Sequence, residues 1–201
     1  MSENEIREPI QKRSIEKKEK IIQYGFELIC QKGYYNTNTA EIAKAAGVST
    51  GIVYQYFKDK HDILLEGIKR YAKDIFFPML NITSSEKINK DNLETVLRKM
   101  INTFIENHKL SQSAHEEITA MIHSDKEISD FFHEHELYMT NKIVNVLNNS
   151  NICPDHLEEK VHISINLIDD LCHEIVYHKH KEMNYDVMVN LVIETIMNLL
   201  K

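Results

Sequence analysis

Thr50, Gly51, Tyr54 and Gln55 combine residue types and a spacing that suit contact with DNA. In the short helix predicted here, the apolar positions between and after them turn inwards, which leaves these four facing outwards. A Gln amide can pair with adenine through two hydrogen bonds, worth about 1–3 kcal/mol of discrimination, and a glycine lets the backbone come close. We therefore interpret Thr50, Gly51 and Gln55 as candidates for contact with base edges.

Residues 39–60, which contain these positions, have the breaks of a helix-turn-helix. A short apolar helix over residues 39–46 is followed by a tight turn at Gly47, and a second short helix begins at Ser49 or Thr50. In this motif the second helix can enter the major groove of DNA. DNA is therefore the first partner that the sequence predicts.

Helices are predicted on both sides of this motif. From Ser14, apolar residues recur at helical spacing until Gly33, a typical residue for the end of a helix. Asn38 and Glu41 have the spacing of a capping box at the start of the second helix. A long fourth helix is then expected to run toward Pro78.

Composition and charge support an all-α protein with a DNA-binding head. Residues 1–75 hold 13 Lys and Arg against 11 Asp and Glu, a net charge of +2, which leaves 11 against 20, or −9, for the remainder. The more basic head is thus the part that suits a polyanion. No glycine follows Gly67, so the rest of the chain favours long helices over hairpins.

The cysteines and the hydropathy exclude several other classes of protein. Cys30, Cys153 and Cys172 are odd in number and have no close metal-type spacing, which indicates neither a disulfide framework nor a zinc site. No apolar stretch has the length of a membrane span, and residues 1–13 form a charged, flexible tail in this interpretation. We expect a cytoplasmic protein without a membrane partner.

Residues 20–64, KIIQYGFELICQKGYYNTNTAEIAKAAGVSTGIVYQYFKDKHDIL, resemble the DNA-binding domain of the TetR (tetracycline-repressor-like) family of transcriptional regulators. Many spaced positions agree together, which makes the resemblance specific. The matching positions are Lys32, Gly33, Tyr34, Thr39, Glu41, Ile42, Ala43, Ala46, Gly47, Val48, Ser49, Gly51, Tyr54, Phe57 and Lys60.

The resemblance implies which residues contact the DNA backbone. It implies phosphate contacts for Tyr54 and Lys60, and a helix N-terminus at Thr39 whose backbone N–H groups face the same strand. The sequence departs from the family pattern at Gln55 and Tyr56, which lie at or beside the DNA face, and at Gly25, where Ala is usual. The predicted DNA-binding residues are Thr39, Ser49, Thr50, Gly51, Tyr54, Gln55, Tyr56 and Lys60.

The resemblance also implies a dimer that responds to a ligand. The predicted domains are a head over residues 14–60, a linking helix over residues 61–78, and a helical bundle over residues 79–201 that binds a ligand and dimerises. The two last helices, at about residues 154–180 and 185–200, are the implied dimer interface. The last is apolar around most of its circumference, so it must be covered on more than one side.

A small apolar or cationic effector is expected to bind within the bundle, because aromatic and methionine side chains line adaptable pockets and the bundle is acidic. Most such residues in a bundle form ordinary core. The candidates for contact with the effector are Phe76, Phe77, Met100, Phe104, Met121, Phe132, Tyr138, His173 and Tyr177.

Histidines form a further pattern, because ten of the eleven follow residue 76. Three interpretations are open: a solvated face, a polar lining for a ligand or dimer seam, and a metal site. The polar stripe on the predicted helix over residues 154–180 comprises His162, Asn166, Asp169, His173, Tyr177 and His180.

The leading hypothesis is a dimeric transcriptional repressor that binds a palindromic operator and is released by its effector, with no catalytic residues, cofactor or metal. The alternative is a helical-bundle metal-carboxylate enzyme using the His, Asp and Glu residues of the stretch 159–180. No nucleophile–base pair, phosphate-binding loop or zinc spacing indicates catalysis of another kind.

Overall fold

The structure is a computed structural model that describes residues 12–85, 87–110 and 112–201. Over these residues the secondary structure is helical, which confirms the all-α prediction. The helices are α1 (Lys12–Lys32), α2 (Thr39–Ala45), α3 (Thr50–Tyr56), α4 (Lys60–Ser85), α5 (Leu93–Leu110), α6 (Gln112–Ser124), α7 (Lys126–Asn149), α8 (Leu157–Val176) and α9 (Tyr185–Leu199).

The chain divides into two compact units. The head unit contains residues 12–72 and 113–128, and the bundle unit contains residues 73–112 and 129–201. This division differs from the predicted domains, because α6 lies in the head unit and not with the other helices of the bundle. The Glu117 carboxylate accepts a hydrogen bond from the backbone N–H of Tyr34, and Asp125 lies 2.9 Å from Nε2 of His61. These polar contacts join α6 and the residue after it to the loop after α1 and to the start of α4.

The head unit has a core of branched side chains from α1 to α4, and the close approach of its helices requires a glycine. Ile21, Ile42 and Ile63 are completely buried in this core. A Cβ at Gly25 would lie 2.6 Å from Cγ2 of Ile63 and 3.0 Å from Cγ2 of Ile42. The departure from the family pattern at Gly25 therefore has a steric reason in this chain.

The bundle unit is built mainly from α5, α8 and α9, which pack against one another. Their contact faces carry the apolar residues at helical spacing that the sequence predicted. The most deeply buried side chains of these three helices are Val96, Ile101, Phe104, Val161, Cys172, Ile193 and Ile196.

Helix α4 continues through Pro78, where the sequence analysis had expected it to end. Proline has no N–H to donate and its ring disfavours the helical turn before it, so a proline inside a helix costs about 3 kcal/mol. Ile75 and Ile82 are buried on either side of Pro78. We attribute the continuation to Ser85 to this packing, which the local signal of a single proline does not reveal.

Helix α8 is shorter at both ends than predicted. It begins at Leu157, because His156 has a left-handed backbone conformation with φ of 58°, and Pro154 therefore lies outside the helix. It ends at Val176, before the predicted end at residue 180. The predicted start placed Pro154 in the first helical turn, where proline is favoured, and that prediction was wrong.

None of the described helices is both long and apolar enough to cross a membrane.

Candidate nucleic-acid interface

Helix α2 begins with the capping box that the sequence predicted. The Asn38 side chain accepts a hydrogen bond from the backbone N–H of Glu41 at 3.0 Å, and the Glu41 carboxylate accepts one from the N–H of Asn38 at 3.3 Å. A hydrogen bond from the Lys32 ammonium lowers the pKa of Glu41. The start of α2 is thus held by its own residues and by the end of α1.

The turn between α2 and α3 depends on Gly47. Its φ of 69° lies in the left-handed region, which glycine adopts without the steric cost of a Cβ. The N–H of Val48 then donates to the carbonyl of Ala43 at 3.0 Å, which closes the turn. This geometry sets the direction in which α3 leaves α2, and so places the outer face of α3.

The outer face of α3 is open to solvent. Thr50, Gly51, Tyr54 and Gln55 are all exposed, as the sequence predicted for this face. Ser49 precedes α3 in an extended conformation, and its exposed side chain makes no capping hydrogen bond. These five residues form a continuous exposed surface of hydroxyl, amide and backbone groups, which we call the α3 face.

Tyr56 does not belong to the α3 face. Its ring is buried with Val53 and Phe57 in the core of the head unit. Because a helix turns once every 3.6 residues, a position three after Val53 returns to the inward side. The predicted DNA contact at Tyr56 is therefore corrected, because its ring packs inwards and not on the exposed side of α3.

Lys60 has a structural partner in addition to its predicted phosphate. Its ammonium donates hydrogen bonds to the carbonyl oxygens of Tyr34 and Thr37, at 2.5 and 2.7 Å, and lies 4.3 Å from the centre of the Tyr34 ring. A lysine has three N–H donors, so these two bonds leave one for another acceptor.

Thr39, predicted at a helix N-terminus, is the half-exposed first residue of α2.

The contribution of α6 and the residues after it to the head unit was not predicted from the sequence. Glu117 reaches Tyr34 across 83 residues of sequence, and Asp125 reaches His61 across 64. Glu127 lies 3.8 Å from Nδ1 of the same histidine. Neither spacing forms a motif, because contacts between distant segments leave no local pattern. The exposed Lys58, between α3 and α4, was also not proposed as a DNA contact.

The bundle unit contains a small cavity of about 40 Å³ among helices α5, α7, α8 and α9. Ser164 is the one polar residue in its lining. The cavity is lined by Ile88, Leu93, Val96, Leu97, Met100, Ile143, Val146, Leu147, Val161, Ser164, Ile165, Ile168, Ile196 and Leu200.

Met100 is the predicted effector contact that lines this cavity. Met121 is buried in the head unit. On α7, Phe132 is half-buried and Tyr138 is exposed. Phe104 is buried on α5 but is not part of the cavity lining, and the centre of its ring lies 4.3 Å from that of His108. The predicted contacts Phe76 and Phe77 have side chains outside the described residues.

The last two predicted effector contacts, His173 and Tyr177, meet His108 where α5 and α8 pack together. The rings of His108 and His173 are 5.1 Å apart, and the Tyr177 hydroxyl donates to the carbonyl of His108 at 3.0 Å. Asp169 lies 3.6 Å from Nδ1 of His173. Burial lowers the pKa of both histidines and raises the pKa of Asp169 to about 6.

The rest of the predicted polar stripe has other neighbours. His162 lies 3.4 Å from Glu136 and 3.1 Å from the hydroxyl of Thr140, both on α7. His180 lies beyond the end of α8 and pairs with Glu174 at 3.5 Å. The stripe is therefore divided between several local sites and does not form one continuous lining.

Sequence similarity to known proteins covers less than half of this chain. Residues 21–66 match the family described as "Bacterial regulatory proteins, tetR family". The chain is 37% identical over 92 residues to YuxN, an uncharacterized HTH-type transcriptional regulator of Bacillus subtilis, covering 46% of this chain and 30% of that protein. It is 32% identical over 91 residues to the fatty acid metabolism regulator protein of the same organism, covering 45% and 47%. The chain thus spans less than half the length of these curated relatives.

Solved structures are similar over nearly the whole chain. A protein from Mesorhizobium loti assigned to the TetR family superposes with a TM-score of 0.72 and 21% identity, covering 94% of this chain and 98% of that one. The fatty acid degradation regulator FadR from Bacillus halodurans gives a TM-score of 0.65 at 17% identity, covering 90% and 94%. At this identity the likeness shows a shared fold, while the sequence match and the α3 face together identify residues 21–66 as a helix-turn-helix domain of the TetR family of regulators.

Proposed function

We propose that the protein is a ligand-responsive transcriptional repressor that binds a palindromic operator as a dimer. The observation that carries this proposal is the α3 face, an exposed polar surface on the second helix of a TetR-family helix-turn-helix domain. TetR-family regulators bind DNA operators as dimers and respond to small-molecule effectors. A regulator of transcription acts on DNA, so the cytoplasmic location predicted from the sequence is part of the proposal.

The proposed contacts divide into those that position the protein and those that distinguish bases. Tyr54 and the free N–H of Lys60 would bind phosphate, which sets the register of α3 on the duplex. Thr50, Gly51 and Gln55 would contact base edges in the major groove. Two such helices from a dimer reach half-sites about one turn of DNA apart, which is the reason for expecting a palindromic operator.

The exposed apolar residues of α8 and α9 support a homodimer through these two helices. Ile163 on α8, and Val187 and Leu191 on α9, are each about half exposed. Large apolar residues that form an exposed patch on a protein surface mark interaction sites. A second copy of the chain would bury them in an interface that uses the same patch on both subunits.

The cavity in the bundle unit supports an apolar effector. Its lining is aliphatic apart from Ser164 and Met100, so it favours a hydrocarbon chain over the cationic ligand that the acidic bundle also suggested. Two of the similar proteins are named as regulators of fatty acid metabolism or degradation. We therefore propose a ligand with an aliphatic chain, such as a fatty acid.

Such a ligand requires the cavity to open. The present volume of about 40 Å³ is far below the roughly 300 Å³ or more of a typical ligand pocket. A ligand that binds a conformation with separated α5, α7, α8 and α9 helices shifts the population toward that conformation. If this conformation binds DNA less well, then the ligand and DNA weaken each other's binding by the same factor.

The test of the function is a mobility-shift titration at several salt concentrations, using the DNA that flanks the protein's own gene and a shuffled sequence of equal length. We expect a preference for the flanking DNA that survives rising salt, because base contacts add to the salt-sensitive phosphate contacts. Addition of fatty acids of graded chain length should then release the DNA. Equal affinity for both DNA sequences at all salt concentrations would refute the proposal.

The metal-carboxylate enzyme considered from the sequence receives no support from the comparisons, since the similar proteins are regulators. The proposal therefore assigns no catalytic residues.

A further inference from the structure

Three potential metal ligands converge where α5 packs against α8 in the bundle unit. His108 on α5 and Asp169 and His173 on α8 each offer one donor atom, and these atoms all lie within 4.8 Å of one another. The two α8 residues are four apart, which places their side chains on one face of the helix. We call these three residues the His–Asp–His cluster.

The cluster is unusual for a helical core, because it brings three polar groups into a mostly apolar interface. His108 is only 3% exposed, and Asp169 and His173 are half-buried. Buried polar groups cost free energy unless they are hydrogen-bonded or bind an ion. Nδ1 of His108 lies 2.9 Å from the carbonyl oxygen of Phe104, and Nδ1 of His173 lies 3.6 Å from Asp169, so these side chains already have polar partners that an ion would supplement.

The hydrogen bond made by Nδ1 of His108 leaves its other ring nitrogen, Nε2, available to bind a metal ion. Its Nδ1 lies 2.9 Å from the carbonyl oxygen of Phe104, and a carbonyl can only accept, so Nδ1 carries the proton. The lone pair is then on Nε2. A metal-binding histidine typically donates its other N–H to a carbonyl or a carboxylate in this way, which holds the ring in place.

We propose that His108, Asp169 and His173 bind a divalent first-row transition metal ion, and that Zn²⁺ is the ion they suit best. Two imidazoles and a carboxylate are ligands for Zn²⁺ and the other divalent first-row transition metal ions, whereas Mg²⁺ and Ca²⁺ prefer oxygen ligands alone. Three protein ligands leave the fourth tetrahedral position for water or a small ligand. The ion would connect α5 to α8.

The distances require only a small contraction. Donor atoms that bind one Zn²⁺ at about 2.0–2.1 Å in a tetrahedral site lie roughly 3.3 Å apart. Asp169 and His173 are already within 3.6 Å of each other, and the largest separation in the cluster is below 4.8 Å. In the proposed site, rotation of the His173 ring and of the Asp169 carboxylate would shorten these distances.

The other group of potential ligands in the described residues does not support such a proposal. Asp59, His61 and Asp62 also lie close together. The Asp59 carboxylate accepts hydrogen bonds from the backbone N–H groups of His61 and Asp62, and the His61 ring pairs with Asp125. Capping of α4 and an ion pair therefore explain that group fully.

The experiment is a calorimetric titration of the full-length protein, freed of metal by a chelator, with Zn²⁺, Mg²⁺ and Ca²⁺. We expect one Zn²⁺ per chain and no saturable binding of Mg²⁺ or Ca²⁺. Asp169→Asn and His173→Gln should each weaken Zn²⁺ binding by at least about tenfold, because loss of a ligand exceeds the cost of losing a supporting hydrogen bond. The assay contains no DNA, so its result does not depend on the proposed function.

The matched control is His162→Gln, because His162 lies on the same helix beside an acid, Glu136, but outside the cluster. Zn²⁺ should bind this variant as it binds the wild type. The proposal is overturned if Zn²⁺ does not bind at one per chain, or if the affinity survives the double replacement of Asp169 and His173. Circular dichroism shows whether each variant is folded. If a variant is unfolded, the proposal is tested instead on the wild type, where the visible absorption of bound Co²⁺ must show a tetrahedral site.

Discussion

At the scale of single residues, one side chain of the α3 face is proposed to contribute affinity for DNA without specificity. Tyr54 is 45% exposed on the outer side of α3, and its hydroxyl is the group proposed to bind phosphate. A phosphate presents the same oxygens at every base pair, so this contact carries no sequence information. Gln55, the neighbouring residue, is the one proposed to pair with a base.

Replacement of Tyr54 by Ala should weaken binding to every operator variant by a similar factor, roughly 10-fold, since a hydrogen bond to a charged group contributes about 1.5–3 kcal/mol. Gln55→Ala should instead relax the preference at one base pair. Both are measured by mobility shift at fixed salt. Tyr138→Ala is the matched control, because Tyr138 is 47% exposed but lies on α7 in the bundle unit. Unchanged affinity of Tyr54→Ala would remove Tyr54 from the interface.

Gly25 provides a second test at this scale. Gly25→Ala should lower the free energy of unfolding by about 1–3 kcal/mol, because the new methyl group would overlap with Ile63 and Ile42. Gly51→Ala is the control, since the nearest atom to its added Cβ is 4.0 Å away. Alanine in a helix should leave stability unchanged or raise it by about 0.5–1 kcal/mol. Thermal denaturation followed by circular dichroism compares the two variants, and equal midpoints would contradict the steric argument.

At the scale of elements, the loop between α1 and α2 is held by polar contacts from two other helices. Lys60 at the start of α4 donates to two carbonyl oxygens of this loop, and Glu117 on α6 accepts from its backbone at Tyr34. The loop precedes α2, so these contacts help to place the helix-turn-helix. Lys60 consequently combines a structural role with its proposed phosphate contact.

Lys60→Met should therefore lower both the melting temperature and the affinity for DNA. The substitution removes the ammonium donor of the Thr37 carbonyl and leaves the Tyr34 carbonyl with the backbone N–H of Thr37 at 3.3 Å, and an unsatisfied buried acceptor costs about 1–3 kcal/mol. Lys58→Met is the control, because that side chain is exposed and its replacement should leave the melting temperature unchanged. Calorimetry of the free protein measures stability apart from affinity. If both variants melt alike, the structural role of Lys60 is wrong.

At the scale of the whole molecule, the proposed function needs two copies of the chain. One helix-turn-helix reads one half-site, and the palindrome doubles the contact area. The exposed apolar residues of α8 and α9 are the surface proposed to join the copies. The effector and the dimer would then use the same α8 and α9 helices, so ligand binding and dimer geometry are coupled in this proposal.

Leu191→Glu should convert the dimer into a monomer, because a charge placed in an apolar interface is buried without a partner. Analytical ultracentrifugation measures the mass of the protein over a range of concentrations. The control is Leu137→Glu, since Leu137 is 57% exposed on α7 and Leu191 is 55% exposed on α9. A dimer that persists in Leu191→Glu and dissociates in Leu137→Glu would move the interface to α7.

Local patterns determined the parts of this protein that depend on neighbouring residues. The spacing of Asn38 and Glu41 predicted the capping box, Gly47 predicted the turn, and outward positions on α3 were assigned correctly for Thr50 and Gln55. These features are governed by backbone conformation and by helical periodicity, which operate within a few residues. They were sufficient to indicate a DNA-binding head and an all-α body.

The tertiary structure decided what depends on contacts between distant segments. Helix α4 continues through Pro78 because buried residues lie on both sides of it, and α6 and the residue after it join the head unit through contacts that span 83 and 64 residues. The sequence predicted a polar stripe on α8, but only packing brings His108 of α5 to Asp169 and His173. No periodicity encodes such a meeting, because it depends on which helix faces become neighbours after folding.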